Sequence, residues 1–104
     1  MKQKQKIRQN FREAVFKRDH HRCKTCGVAN VALDAHHITD RNEMSNGGYV
    51  KENGIALCHD CHIKAEVWHS SGKTEFAPDF HPDDLYRLIG SNLQRATAAS
   101  ERLS

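Results

Sequence analysis

Apolar and polar positions divide the chain into a few short elements. Phe11, Ala14, Val15 and Arg18 recur at helical spacing, and Asn10 followed by Glu13 matches a capping box, so the pattern predicts a short helix from Asn10 to about Arg18. Residues 31–38 fit a strand. The polar stretch 39–48 ends in the turn signal Asn46-Gly47-Gly48, and residues 54–57 offer a second short strand. Together they predict a hairpin with a long connection. From residue 58 to about 69 the pattern turns helical, with Ile63, Val67 and Trp68 on the expected buried side. After an irregular stretch over 70–81, Pro82 with Asp83 and Asp84 opens a final helix to about residue 103, combining an N1 proline with first-turn acids. Leu85, Leu88, Ile89, Leu93, Ala96 and Leu103 form its apolar stripe, suited to packing onto the domain or to a partner-binding or dimerising helix.

At 104 residues the chain fits one domain, and a domain this small buries too little apolar surface to be comfortable without a staple or a metal. Its four cysteines supply one. Cys23-x2-Cys26 and Cys58-x2-Cys61 are two close pairs separated by 31 residues, and Gly27 permits the tight turn behind the first. No apolar run approaches the ~20 residues of a membrane span, and MKQKQKIRQN lacks the apolar core of a signal peptide, so a cytoplasmic setting without membrane contact is expected. Reducing conditions there disfavour disulfides, and the cysteines read as ligands of structural zinc. With all four ligands thiolate, no coordination position is left for catalysis.

The net charge of +3 is unevenly spread: nine of the 16 Lys and Arg residues precede Cys26, against only Glu13 and Asp19. Such polarity suits a polyanionic partner. Lys2, Lys4 and Lys6 fit equally a solubilising or disordered tail. The expected organisation is a basic tail over 1–9 and a single domain over 10–104, with its core at about 18–69 and the last helix at about 82–103.

Between the cysteine pairs lies His36-His37, followed after fifteen residues by Asn53 and after eight more by His62. Neighbouring residues of a strand point to opposite sides, so the two histidines should divide labour rather than serve one metal. Imidazole, with an unperturbed pKa of ~6.5, suits a general base near pH 7. The segments LDAHHI (33–38) and NGIALCHDCH (53–62) resemble the HNH endonuclease family, in its zinc-knuckle subgroup with paired C-x2-C motifs, of phage and mobile-element type. The similarity covers about residues 18–66. It implies a small α+β fold with a ββα-metal, treble-clef-like core, a structural zinc site and flanking N- and C-terminal helices.

The resemblance further implies a metal-dependent DNA endonuclease leaving 5′-phosphate and 3′-hydroxyl ends. His36 would bind the catalytic divalent cation (Mg2+, Mn2+, Ni2+ or Co2+), His37 would deprotonate water, and Asn53 would hold the backbone around His37 across the hairpin. His62 would complete the metal site, fixed by Cys61 one residue earlier. Some members carry a further histidine one helical turn later. Here that position is Glu66, open between a metal ligand and a solvated helix charge. Asp34, if on the face of His36, would support it as an acceptor. His20, His21, His59, His69 and His81 are expected at the surface or in packing.

Phosphate contacts are expected from Arg8, Arg12, Lys17, Arg18, Arg22 and Lys24, and from Arg41, placed either to clamp the scissile phosphate or as an unpartnered loop arginine. The rival readings are a non-catalytic zinc-stabilised nucleic-acid-binding module, an RNA-directed or toxin-like nuclease, and a protein-interaction domain presenting the last helix. Family members of this size act in phages and mobile elements. A larger partner such as a packaging terminase, the cytoplasm of a bacterial host, and a monomer or weak dimer that nicks or breaks both strands are the corresponding expectations.

Overall fold

A computed structural model describes residues 2–103; Met1 and Ser104, at the ends of the expected tail and domain, lie outside the described residues. The element order is α1 (Lys2–Arg18), β1 (Leu33–His37), β2 (Gly54–Cys58), α2 (His59–Ser70), α3 (Pro82–Leu88) and α4 (Leu93–Glu101). Three single-turn 3₁₀ segments, Arg41–Glu43, Ser45–Gly48 and Lys51–Asn53, fill the connection between the strands.

The hairpin is antiparallel, with Asp34 opposite Leu57, Ala35 opposite Ala56, His36 opposite Ile55 and His37 opposite Gly54. Directly opposed residues share a face, so the pleat sorts the side chains into two sets. Ile55 and Leu57 enter the larger core with Ile38, Cys61, Ala65, Leu85 and Tyr86, whereas Ala56 joins Phe11 and Val15 of α1. No side chain stands between α1 and β2 at Gly54, where a Cβ would lie 2.5 Å from Val15 Cγ2 and 2.6 Å from Phe11 Cε1. One buried ion pair fixes α1 further. Asp19, 3% exposed, receives two 2.8 Å hydrogen bonds from Arg18 and one of 2.9 Å from the Ala56 backbone N–H.

Several expectations change. The first helix starts at Lys2 rather than at an Asn10 cap, extending through residues expected as a tail. Lys, Gln and Arg are good helix formers and nothing between residues 2 and 18 breaks the helix; Glu13 bonds Gln9 four residues earlier instead of closing a capping box. The first strand is shorter than 31–38, with Val31 47% exposed. On α2 the buried residues are Cys61 and Ala65, and Ile63, expected inside, is 55% exposed, because the metal-ligand spacing rather than an apolar stripe orients this helix. The single last helix is two. Gly90 adopts a left-handed φ of +68°, and Asn92 restarts the chain as a new cap by accepting from Arg95 N–H. Leu88 and Leu93, flanking that break, are exposed, while Leu85 and Ala96 are buried. Helix α4 packs onto the domain through Ser100, whose hydroxyl accepts from Gly48 N–H at 3.0 Å and donates to the Ser45 carbonyl.

Replacing Gly54 with alanine should force α1 off the hairpin, costing about 1–3 kcal/mol as an overpacking strain. Urea unfolding should show a lower midpoint with an unchanged slope.

Candidate metal centres and the histidine pocket

The four cysteine sulfurs lie within 4.8 Å of one another. Cys23 and Cys61 are buried, Cys26 is exposed, and Cys58 caps α2. Gly27, at φ +80°, turns the chain so that its N–H bonds the Cys23 carbonyl at 2.8 Å, and Lys24 N–H bonds Ala56 across to β2. Cys26 and Cys58 sulfurs are 3.8 Å apart, the edge expected of a tetrahedron with about 2.3 Å metal–sulfur bonds, about 3.8 Å. Burial pushes the Cys61 thiol up to about 12, with the neighbouring sulfurs adding to it. Burial acts the same way on Cys23, but the Thr25 hydroxyl and backbone N–H groups of Cys58, Cys26 and Thr25 outweigh it and bring that thiol down to about 6. Four sulfurs so close cannot all be thiolate without a cation among them, so the cluster fits a structural metal such as zinc.

A second cluster forms where β1 meets α2. His36, 2% exposed, points from β1 toward α2, where His62 and Glu66, one helical turn apart, receive it. Glu66 Oε1 lies 3.3 Å from His36 Nδ1 and 3.2 Å from His62 Nε2. The His36 contact lacks hydrogen-bond alignment, leaving its buried Nδ1 without a partner. Two imidazole nitrogens and a carboxylate oxygen converging within 4.8 Å form a donor set able to hold a metal ion. This donor set suits a divalent ion. Burial lowers the His36 pKa, keeping it neutral, while its proximity holds Glu66 at about 2. Asp34 bonds His62 Nδ1 at 3.1 Å and so supports His62, not His36 as expected, because it shares the α2-facing side of β1 and lies within reach of that helix. Glu66, left open by the sequence, joins the cluster.

His37 points the other way. Its ring stacks on Phe11 at 4.6 Å and 26°, meets Tyr49 edge-on at 4.7 Å, and keeps its buried Nε2 without a hydrogen-bond partner. Burial first, then the adjoining His36 imidazole and the Arg41 guanidinium, lowers its pKa to about 4. At the end of the strand both histidines reach one pocket of about 310 Å³, lined also by Asp40, Arg41, His62, Glu66 and His69.

Asn53 lies outside that pocket, fully buried. Its side-chain oxygen accepts from Thr39 N–H at 2.9 Å and Tyr86 Oη at 2.7 Å, and its amide donates to the carbonyls of Thr39 at 3.0 Å and Gly48 at 3.2 Å. The strand is thus gripped two residues beyond His37. Gly48 must be glycine here: its φ is +68°, and a Cβ would lie 2.6 Å from Asn53 Nδ2.

Of the expected phosphate ligands, Arg41 lines the pocket and donates to Tyr49 Oη at 3.0 Å. Arg18 does not stay free: its guanidinium is spent on Asp19 and the Gly54 carbonyl. Arg12 lies over Phe16 and Arg22 bonds the Gly27 carbonyl, both still exposed, as are Lys17 and Lys24. His69, expected at the surface or in packing, bonds the His37 carbonyl at 3.0 Å and lines the pocket; its position three residues after Glu66, on the same helix face, was the available signal. Phe11, Tyr49 and Tyr86 carried no signal beyond being apolar or aromatic.

The family model for HNH endonuclease matches residues 21–67, a little under half of the chain. The match encloses both cysteine pairs, His36, His37, Asn53, His62 and Glu66. The small α+β architecture, with its two-stranded sheet and four-cysteine cluster, is consistent with an HNH ββα-metal fold, and the match supports a nuclease-type, nucleic-acid-related function. No curated protein and no solved structure matches the chain. Among the described residues no helix is long and apolar enough to cross a membrane.

Cobalt(II) titration should give one tetrahedral thiolate spectrum per chain, abolished by Cys61→Ala, with chelation unfolding the protein. Asp34→Ala should weaken divalent-cation binding at the histidine pocket by ~10–100-fold in a calorimetric titration, with the cobalt–thiolate spectrum unchanged.

Proposed function

We propose that this HNH-type core is a metal-dependent DNA endonuclease that hydrolyses phosphodiester bonds with His37 as general base, leaving 5′-phosphate and 3′-hydroxyl ends. One observation carries the proposal: the convergence of His36 Nδ1, His62 Nε2 and Glu66 Oε1 beside a neutral histidine in the same pocket. A non-catalytic module held together by the cysteine cluster has no use for that second donor set.

A divalent cation held by His36, His62 and Glu66 would stabilise charge developing on the phosphate oxygens and the leaving 3′ oxygen. Its identity is left broad by two imidazoles and one carboxylate, which accept Mg2+, Mn2+, Ni2+ or Co2+. The four cysteines hold zinc, with no position open to substrate.

His37 has the protonation state of a base, although the burial that keeps it neutral also weakens its hold on a proton. Burial keeps it neutral at pH 7, so its proton-accepting form is fully populated. Its Nε2 is buried without a hydrogen-bond partner, which leaves Nδ1 to take the proton from water. The backbone grip of Asn53 on Thr39, and of His69 on the His37 carbonyl, limits how far the ring can drift during the transfer. Arg41 adds positive charge where the nucleic-acid backbone enters the pocket. A single compact site cuts one strand, so nicking is the elementary reaction and a double break needs a second encounter or a second copy. A packaging or mobile-element setting in a bacterial host, with a larger protein supplying specificity, fits a domain without a separate recognition module.

Supercoiled plasmid, incubated with the zinc-loaded protein and magnesium, manganese or nickel, should convert to nicked circles. His37→Ala should lose ~10²–10⁴-fold in rate while still binding the cation. Binding of DNA by wild type and variant with no cleavage under any metal would instead make the chain a non-catalytic nucleic-acid-binding module.

A further inference from the structure

Two arginines from separate elements approach one tyrosine. Arg41, from the loop after β1, donates to Tyr49 Oη at 3.0 Å, and the Arg8 guanidinium of α1 lies 5.8 Å from the Tyr49 ring centroid. Tyr49 in turn stands edge-on to His37 at 4.7 Å and 87°. Positions 4, 8 and 11 fall on one stripe of a helix, so the face of α1 that presses Phe11 onto His37 also carries Arg8 one turn earlier and Lys4 one turn before that. Lys4, Arg8, Asn46 and Tyr49 line a cleft of about 450 Å³. Arg41, which lines the catalytic pocket, is tied to this cleft through the Tyr49 hydroxyl.

These cations are uncompensated. Among the described residues Arg18, Lys73 and Arg87 each pair with a carboxylate, whereas Lys4, Arg8 and Arg41 pair with none. Like charges gathered within one cleft repel unless an anion joins them, and guanidinium groups fit phosphate oxygens in shape as well as charge. Asp40 lines the catalytic pocket beside Arg41 without forming an ion pair with it.

We propose that Lys4, Arg8, Arg41 and Tyr49 form a seat for the nucleic-acid backbone phosphate adjacent to the one being cut. The seat rests on the nuclease reading above and gives it a direction: the strand runs from the His36–His37 pocket past Tyr49 and along the N-terminal half of α1. Tyr49 has two tasks there, its ring enclosing His37 and its hydroxyl aiming Arg41. Contacts of this kind touch the backbone alone, so the seat fixes register without reading sequence.

Fluorescence anisotropy of a short labelled duplex DNA, with the zinc-loaded protein and no further divalent cation, tests the seat apart from catalysis. Arg8→Gln and Arg41→Gln should each weaken binding roughly three- to tenfold and flatten the dependence of log K on log salt by about one, equally on two unrelated sequences. Tyr49→Phe, which keeps the ring, should weaken binding by releasing Arg41. Arg87→Gln on α3, whose side chain is exposed and already paired with Asp84, should change neither affinity nor slope. Wild-type affinity and slope in the Arg8, Arg41 and Tyr49 variants, or a wild-type protein that does not bind the duplex, would overturn the seat. Plasmid nicking by the same wild-type preparation separates the two readings. Cleavage with variant binding unchanged removes the seat alone, and seat-dependent binding without cleavage removes the nuclease alone.

Discussion

The side-chain amide of Asn53 is the interaction on which the rest of the site's geometry depends. An amide transferred into a protein interior costs several kcal/mol unless its hydrogen bonds are made, and this one makes four. Each partner belongs to a different part of the structure: the strand exit at Thr39, the glycine turn at Gly48 and helix α3 at Tyr86. No other side chain of this size offers a donor pair and an acceptor in one plane. An aspartate would place a charge among carbonyl oxygens, and a leucine would take the Asn53 partner from three backbone groups, the N–H and carbonyl of Thr39 and the carbonyl of Gly48. The polar loop between the strands thereby behaves as part of the core, with Ser100 of α4 closing it from the far side.

With the exit of β1 fixed, the pleat does the remaining sorting. His36 and Asp34 face α2, and His37 faces α1, so adjacent residues enter different chemistry. The α2 side carries the polar cluster of Asp34, His36, His62 and Glu66 beside the apolar core. The α1 side is aromatic, and burial there holds His37 at about 4. Had both histidines shared one face, the electrostatics of a metal would have acted on the base directly. Separation by the strand puts one imidazole into the donor cluster and holds the other, neutral, against the aromatic face.

The chemistry-bearing residues were legible in the sequence because their spacing is local. Two C-x2-C pairs, a histidine doublet and a histidine directly after the last cysteine each report on a single turn or strand. The partners were not legible. Tyr86 reaches Asn53 across 33 positions, Ser100 reaches Gly48 across 52, and Asp19 reaches Ala56 across 37. Each is one polar residue whose role is decided by a distant backbone group, and no periodicity marks such a residue beforehand. The same limit explains Arg18, a plausible phosphate ligand by charge until Asp19 is seen to hold it. The division of the last helix was nearer to hand, since Gly90 and Asn92 are a stop and a start in sequence.

A domain of this size that buries Asp19, His36, Asn53 and Ser100 commits interior volume to polar groups that a larger protein could leave to its margins. Hydrophobic area alone is a weak support under that condition. The four-cysteine cluster compensates by tying Cys23 and Cys26 to Cys58 and Cys61, which fastens the turn after α1 to the end of β2 and the first turn of α2. That junction is one residue from His62 and one turn from Glu66. The histidine pocket therefore assembles only when α2 is docked, and α2 is docked by the cysteines and the small buried Ala65 rather than by an apolar stripe. Metal binding at the cysteine cluster and assembly of the histidine donor set are on this reading a single equilibrium. The pocket depends on the cysteine cluster for its geometry, even though four thiolates leave that cluster no position open to a substrate.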